Sequence, residues 1–292
     1  MIRVIASDLD GTLLNENHVL DKCTYEVLIR AQKAGMRFIA VTGRDYSMTR
    51  DAFEGFDLNC DYILASGAET RNSAGVVVKR LPLPFHKVKL VTEALSGFFN
   101  PLSYNTENSE YRVGGSKEVR DGIVYEVRNF YRRALPDRFD EEQFVRLMLS
   151  RTTIVPQLED IEESVYKISM TAKDTATITE MKKILSRIPG LAVASSFSNN
   201  IEITDELAQK GPVLKNFITS LGYTMEEVIA FGDSQNDYSM LSMDFGGTFA
   251  MENADPEIKA VAQRIAPSNT EHGVAQVIEE LLARQVKGGG TK

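Results

Sequence analysis

The sequence predicts an α/β protein: a doubly wound, mostly parallel sheet split by an inserted α/β unit. Two observations carry this. Three short apolar runs, Val4-Ile5-Ala6, Phe38-Ile39-Ala40-Val41 and Val228-Ile229-Ala230-Phe231, each end in a polar turn containing glycine. Between about residues 83 and 202 the pattern changes to aromatic-rich strands and amphipathic helices with no such turn.

Residues 2–8 are the first strand. Val27, Leu28, Ala31 and Ala34 keep a helical stripe over 22–34 that stops at Gly35. Strand 37–41 completes a βαβ unit, whose crossover is right-handed in nearly all cases, so Asp8 and Thr42 fall on neighbouring parallel strands. Tyr62-Ile63-Leu64-Ala65 is a third strand, followed by a hairpin through Ser73-Ala74-Gly75 into Val76-Val77-Val78. Leu81-Pro82-Leu83-Pro84 reads as a linker, because paired prolines favour extended chain. Inside the inserted stretch, Ile178, Met181, Leu185 and Ile188 mark one face of a helix over 176–188. The first pattern then resumes with helix 212–221, strand 228–232, helix 237–241 and a last helix 274–282. Lys287-Gly288-Gly289-Gly290-Thr291-Lys292 is expected to be a flexible tail, since nothing in it is apolar. The expected division is a core of 1–82 with 203–292, and an insertion of 83–202.

Composition excludes several function classes. The chain has 292 residues, 25% of them charged, and a formal net charge of −8. That balance argues against a nucleic-acid surface, where a basic stripe is expected. No run approaches the roughly 18 apolar residues that span a bilayer, and residue 2 leads straight into a strand without a signal-peptide pattern. A cytoplasmic protein is expected. Cys23, Cys60, His18, His86 and His272 are scattered without metal-ligand spacing, which speaks against zinc and disulfide frameworks.

Asp8-Leu9-Asp10-Gly11-Thr12 follows the first strand. Side chains alternate along a strand, so Asp8 and Asp10 are expected to face one site together. Two adjacent like charges raise each other's pKa, a conflict that a divalent cation resolves. Taken alone, the segment also fits a strand followed by an Asx turn at Asp10-Gly11. Further polar stations follow in order: Thr42-Gly43-Arg44, Lys210-Gly211, and Gly232-Asp233-Ser234-Gln235-Asn236-Asp237. In an open parallel α/β sheet the ligand lies at the carboxyl ends of the strands, where these turns converge.

With these motifs in this order, the chain resembles the haloacid dehalogenase superfamily of phosphohydrolases. It is most similar to the Cof-like, type IIB branch, on Asp8 to Leu14, Val41 to Arg44, Ser66-Gly67-Ala68-Glu69, Asn200-Ile201-Glu202-Ile203, Lys210-Gly211, Gly232 to Leu241 and Met251-Glu252-Asn253-Ala254. Ser66 stands where that branch usually has Asn, and Glu252 where it usually has Gly. The resemblance implies a Rossmann-like core with residues 83–202 as an α/β substrate-specificity cap. It implies a magnesium-dependent phosphatase of small metabolites, sugar phosphates or related compounds, acting through an aspartyl-phosphate on Asp8 with Asp10 as general acid and base. Asp8, the Asp10 backbone carbonyl and Asp233 are the implied metal ligands, with Asp237 and Asn236 orienting their neighbours. Thr42, Gly43 and Lys210 are the implied phosphate contacts, and Pro212 starts a helix whose dipole adds to the positive field. Arg44 is open between a phosphate contact and a salt bridge. Asn105, Glu107, Arg112 and Tyr104 are candidate leaving-group contacts. The expected partner is a small phosphate ester, with the chain a monomer or weak homo-oligomer. Two alternatives stay open: a phosphomutase or phosphotransferase of the same superfamily, and a sensor that binds phosphometabolites without hydrolysis.

Overall fold

The strands in chain order are β1 (Val4–Ser7), β2 (Arg37–Val41), β3 (Cys60–Leu64), β4 (Glu69–Arg71), β5 (Val77–Arg80), β6 (Ser103–Asn105), β7 (Glu110–Val113), β8 (Thr152–Val155), β9 (Lys167–Thr171), β10 (Leu191–Ala194), β11 (Asn200–Asp205), β12 (Val228–Gly232), β13 (Gly247–Met251) and β14 (Arg264–Ala266). This is a computed structural model that describes residues 1–98, 100–107, 109–128 and 140–288. The chain divides into two compact units, Met1–Arg80 with Gln209–Lys292, and Leu81–Ala208.

The first unit holds a sheet of order β14-β13-β12-β1-β2-β3-β4-β5. From β14 to β3 the strands are parallel, and β4 and β5 return antiparallel. The apolar runs are continuous rather than alternating because a parallel sheet is buried on both faces. Val4, Ile5 and Ala6 of β1 are accordingly inaccessible. Helix Lys22–Lys33 starts where the Asp21 carboxylate accepts from the Thr24 N–H, and it buries Val27, Leu28 and Ala31. It ends just before Gly35, whose φ of +86° suits glycine.

Several elements differ from expectation. The hairpin joins β4 to β5, and β4 is an extra strand made of Glu69-Thr70-Arg71. Helix Lys210–Ser220 begins two residues early, so Lys210 sits in its first turn. Helix Gly273–Gly288 takes in Lys287 and Gly288, while the rest of the expected tail, 289–292, lies outside the described residues. No helix among the described residues is long and apolar enough to cross a membrane.

The second unit has a sheet of order β10-β11-β9-β6-β7-β8, antiparallel except for β7 with β8. Because β11 belongs to it, this unit runs past the expected boundary at 202 to Ala208. One sheet face buries Tyr104, Ile168, Ile201 and Ile203 with Val91, Ile178, Met181 and Leu185 of helices Phe85–Leu95 and Thr175–Leu185. Tyr104 is in β6 with its hydroxyl 2.9 Å from Thr92 Oγ1. Arg112 is in β7, where it donates to both carboxylate oxygens of buried Glu126 at 2.9 and 2.8 Å and to Glu110 at 2.8 Å. Neither is a loop residue available to a leaving group, and strand alternation explains why: each points into a packed layer with its polar atoms already matched.

Candidate active site

Asp8 is the first residue after β1, extended at φ −61° and ψ 166°, with its N–H donating to Phe231 O of β12 at 3.0 Å. Residues Leu9–Leu13 turn sharply, broken by Asp10 (φ −70°, ψ 127°) and Gly11 (φ +72°). Glycine is needed here twice over: for the positive φ, and because a Cβ would stand 2.4 Å from Asp233 Oδ2. The Thr12 hydroxyl donates to Asp233 Oδ1 at 2.9 Å, tying the turn after β1 to the turn after β12. The Asn253 and Asn269 amides donate to Gly11 O and Leu14 O at 2.8 and 3.0 Å and fix the other side of the turn.

Thr42 follows β2, the neighbour of β1, and is buried. Its hydroxyl accepts from Arg44 N at 3.1 Å, while Ser66 N and Ala65 N donate to the carbonyls of Thr42 and Arg44 at 3.0 and 2.9 Å. Ala65 and Ser66 have φ of +48° and +59°. Left-handed backbone costs a residue with a Cβ about 1–2 kcal/mol, so these two hydrogen bonds hold a strained turn against the Thr42-Gly43-Arg44 segment. The Ser66 departure falls there, at a position where Asn would suit the backbone better.

Lys210 is fully buried, and its Nζ donates to Asp8 Oδ1 and Asp237 Oδ1, both at 2.6 Å. The helix that carries it packs close to helix Tyr238–Leu241, since a Cβ on Gly211 would stand 1.9 Å from Ser239 O. Asp237 Oδ2 accepts from Asp233 N and Ser234 N at 3.0 and 3.1 Å. Both its oxygens are thus engaged, one holding the Lys210 ammonium and the other the backbone after β12. Asp233 accepts from Ser234 Oγ at 3.0 Å through Oδ2. Asn236 lies half-buried in the turn Gln235–Asp237 and makes no side-chain hydrogen bond to the other site residues among those described.

Oxygens of Asp8, Asp233 and Asp237 lie within 4.8 Å of one another. Burial pushes Asp8 well above the usual carboxylate range; Lys210 opposes this, while Asp237 and Asp233 add to it. Burial and the Asp237 charge raise Asp233 to about 7. Burial alone would lower Lys210, but its two carboxylates outweigh that and keep it charged. One ammonium does not balance three carboxylates. A hard divalent cation fits this all-oxygen donor set, which resembles the few carboxylates that magnesium takes.

Asp10 departs from expectation. β1 ends at Ser7, so strand alternation does not extend to Asp10, and the two carboxylates have different partners. Arg44 donates to Asp10 through Nε at 2.7 Å and Nη2 at 2.5 Å, and His18 Nδ1 lies 2.7 Å from Oδ1. Burial would raise Asp10, yet the hydrogen bonds and charges of Arg44 and His18 bring it below the ordinary range, opposite to the rise expected from Asp8. Arg44 is therefore a salt-bridge partner here. In the sequence Thr12 is only part of the motif and His18 only a scattered histidine; their contacts to Asp233 and Asp10 come from the turn. Two of the scattered residues, Cys23 and His272, do meet, together with Asp21. That contact lies at the starts of helices Lys22–Lys33 and Gly273–Gly288, whose dipoles disfavour a cation.

The model of the haloacid dehalogenase-like hydrolases matches residues 5–278. The chain is 29% identical to the pyridoxal phosphate phosphatase YbhA of Escherichia coli, over 94% of this chain and 97% of that protein. It is 28% identical to the 5-amino-6-(5-phospho-D-ribitylamino)uracil phosphatase YwtE of Bacillus subtilis, over 97% and 99%. Among solved structures, a haloacid dehalogenase-like hydrolase from B. subtilis superposes with a TM-score of 0.82 at 26% identity, over 96% of this chain and all of that one. With its family model matched from residue 5 to residue 278, this chain belongs to the haloacid dehalogenase-like hydrolases.

Proposed function

We propose that the chain hydrolyses phosphate monoesters of small metabolites with magnesium bound by Asp8, the Asp10 carbonyl and Asp233. The observation that carries this is the buried Lys210 ammonium between Asp8 and Asp237, beside Asp233, where β1 and β12 end. The ion supplies positive charge against the phosphate and the carboxylates around it. Asp8 attacks phosphorus, forming a P–O bond to its carboxylate as the bond to the leaving oxygen breaks. Asp10 gives that oxygen a proton, then takes one from the water that releases inorganic phosphate from Asp8. Thr42, Gly43 and Lys210 hold the phosphoryl oxygens, and Asp237 keeps Lys210 and the turn after β12 in register. A carboxylate that only accepts hydrogen bonds cannot donate a proton. Arg44 must therefore release Asp10 before the first step, and a phosphate dianion competes for the same guanidinium fork.

The relatives point to phosphorylated cofactors and their precursors, such as pyridoxal phosphate and the ribitylaminouracil phosphate, ahead of simple sugar phosphates. The test is phosphate release by the purified chain from these esters and a panel of sugar phosphates, with magnesium and with excess EDTA. Release only with magnesium, and none from Asp8→Asn, is expected. Undiminished release after thorough metal removal would exclude this mechanism, and phosphate transfer to a sugar without net release would favour a mutase.

A further inference from the structure

We propose that His18 is a positioning residue for Asp10, steadying the carboxylate as Arg44 turns to the substrate phosphate; this rests on the phosphatase mechanism above. His18 has a φ of +58°, a backbone conformation that side-chain-bearing residues rarely adopt. Asn15 builds the loop that imposes it: its Oδ1 accepts from Asn17 N at 2.9 Å and Val19 N at 3.4 Å, and its carbonyl accepts from His18 N at 2.9 Å. Glycine would fill such a turn without strain. Instead the loop carries an imidazole whose Nδ1 reaches Asp10 Oδ1 at 2.7 Å. Strain retained at one residue, aimed at a reacting group, suggests a use.

Asp10 needs such support. It stands on an irregular turn, not in a strand, so no sheet neighbour fixes its rotamer. Its other partner, Arg44, is the fork best suited to bind phosphate in two places. Once Arg44 is drawn to the ester, His18 is the remaining side-chain contact among the described residues that keeps Asp10 aimed.

The test compares the wild type, His18→Gly and His18→Asn with magnesium on p-nitrophenyl phosphate and phenyl phosphate. Glycine keeps the backbone and removes the ring. Asparagine accepts positive φ and places an amide N–H near the position of Nδ1. Misplacing Asp10 is expected to lower kcat of His18→Gly on phenyl phosphate about a hundredfold, with KM little changed. The loss should shrink on p-nitrophenyl phosphate, whose leaving group needs little protonation, and the melting temperature should not fall. His18→Asn should recover most of the lost rate. Wild-type kcat in His18→Gly, equal losses on both esters, or no difference between the two variants would overturn the proposal. Should His18→Gly be unstable, the ratio of the two esters in His18→Asn against the wild type decides: an unchanged ratio with a lowered kcat counts against positioning, a ratio shifted toward p-nitrophenyl phosphate supports it. Failure of the phosphatase mechanism itself looks different, as a wild type that releases no phosphate from either ester.

Discussion

Replacing Asp233 with asparagine should stabilise the metal-free protein at pH 8, and magnesium should cancel that advantage by stabilising the wild type. Asp233 titrates near 7 in the folded chain because burial and the Asp237 charge oppose its ionisation. A carboxyl that holds its proton more tightly folded than unfolded contributes stability that is full below its unfolded pKa of 3.8 and is lost as pH rises toward 7. From 3.8 to about 7, at 1.36 kcal/mol per pH unit, the loss is at most about 4 kcal/mol and is complete at pH 8. The amide keeps an acceptor for Thr12, and the imperfect match to Ser234 costs about 1 kcal/mol. A net gain of about 2–3 kcal/mol remains, or about 4–12 °C at roughly 2–4 °C per kcal/mol for a unit of this size. Wild type recovers with magnesium, since an ion at a hundred times its Kd adds about 2.7 kcal/mol. The assay is thermal unfolding of both proteins in EDTA at pH 5 and pH 8, then in magnesium. If Asp233→Asn melts below wild type by the same margin at both pH values in EDTA, the carboxylate is not electrostatically frustrated and the case for an ion there collapses.

Lys210→Met should abolish turnover and lower stability by about 3–5 kcal/mol, because it leaves Asp8 and Asp237 buried without a counter-ion; a urea midpoint equal to wild type would contradict this. Gly11→Ala drives a Cβ to 2.4 Å from Asp233 Oδ2, so the variant should lose both activity and its stabilisation by magnesium in thermal unfolding. Asp10→Asn should slow hydrolysis of esters with poor leaving groups about a hundredfold to ten-thousandfold. With an ester whose leaving group needs little protonation it should also accumulate phosphate on Asp8, visible as added mass on intact protein; wild-type rates on all esters would remove Asp10 from proton transfer.

Asp8, Lys210 and Asp233 were legible because each follows or starts an element whose apolar pattern is strong, and parallel strands bring such ends together whatever the details. Reading failed where local polarity and burial disagree. β4 is Glu69-Thr70-Arg71, which has no apolar pattern, yet Glu69 and Thr70 are buried because the sheet pairs their backbone and Arg71 matches the Glu69 charge. Arg112 looked like an exposed reader of ligands for the same reason: a sequence shows its charge but not Glu126, which cancels it. At Asp10 the expected pKa rise fails because Arg44 and His18, which no spacing places there, outweigh burial.

The interrupted first unit sets an order of events during synthesis. β1 pairs with β2 on one side and with β12 on the other, and more than two hundred residues separate β1 from β12. While the ribosome is still making Leu81–Ala208, the β12 side of β1 has no strand to pair with. An unpaired edge of apolar chain is a template for the wrong partner. The inserted segment carries its own sheet and core and can collapse first, as domains tend to do in order of emergence. Chains truncated before Val228 should therefore carry a folded middle segment while the β12 side of β1 stays open.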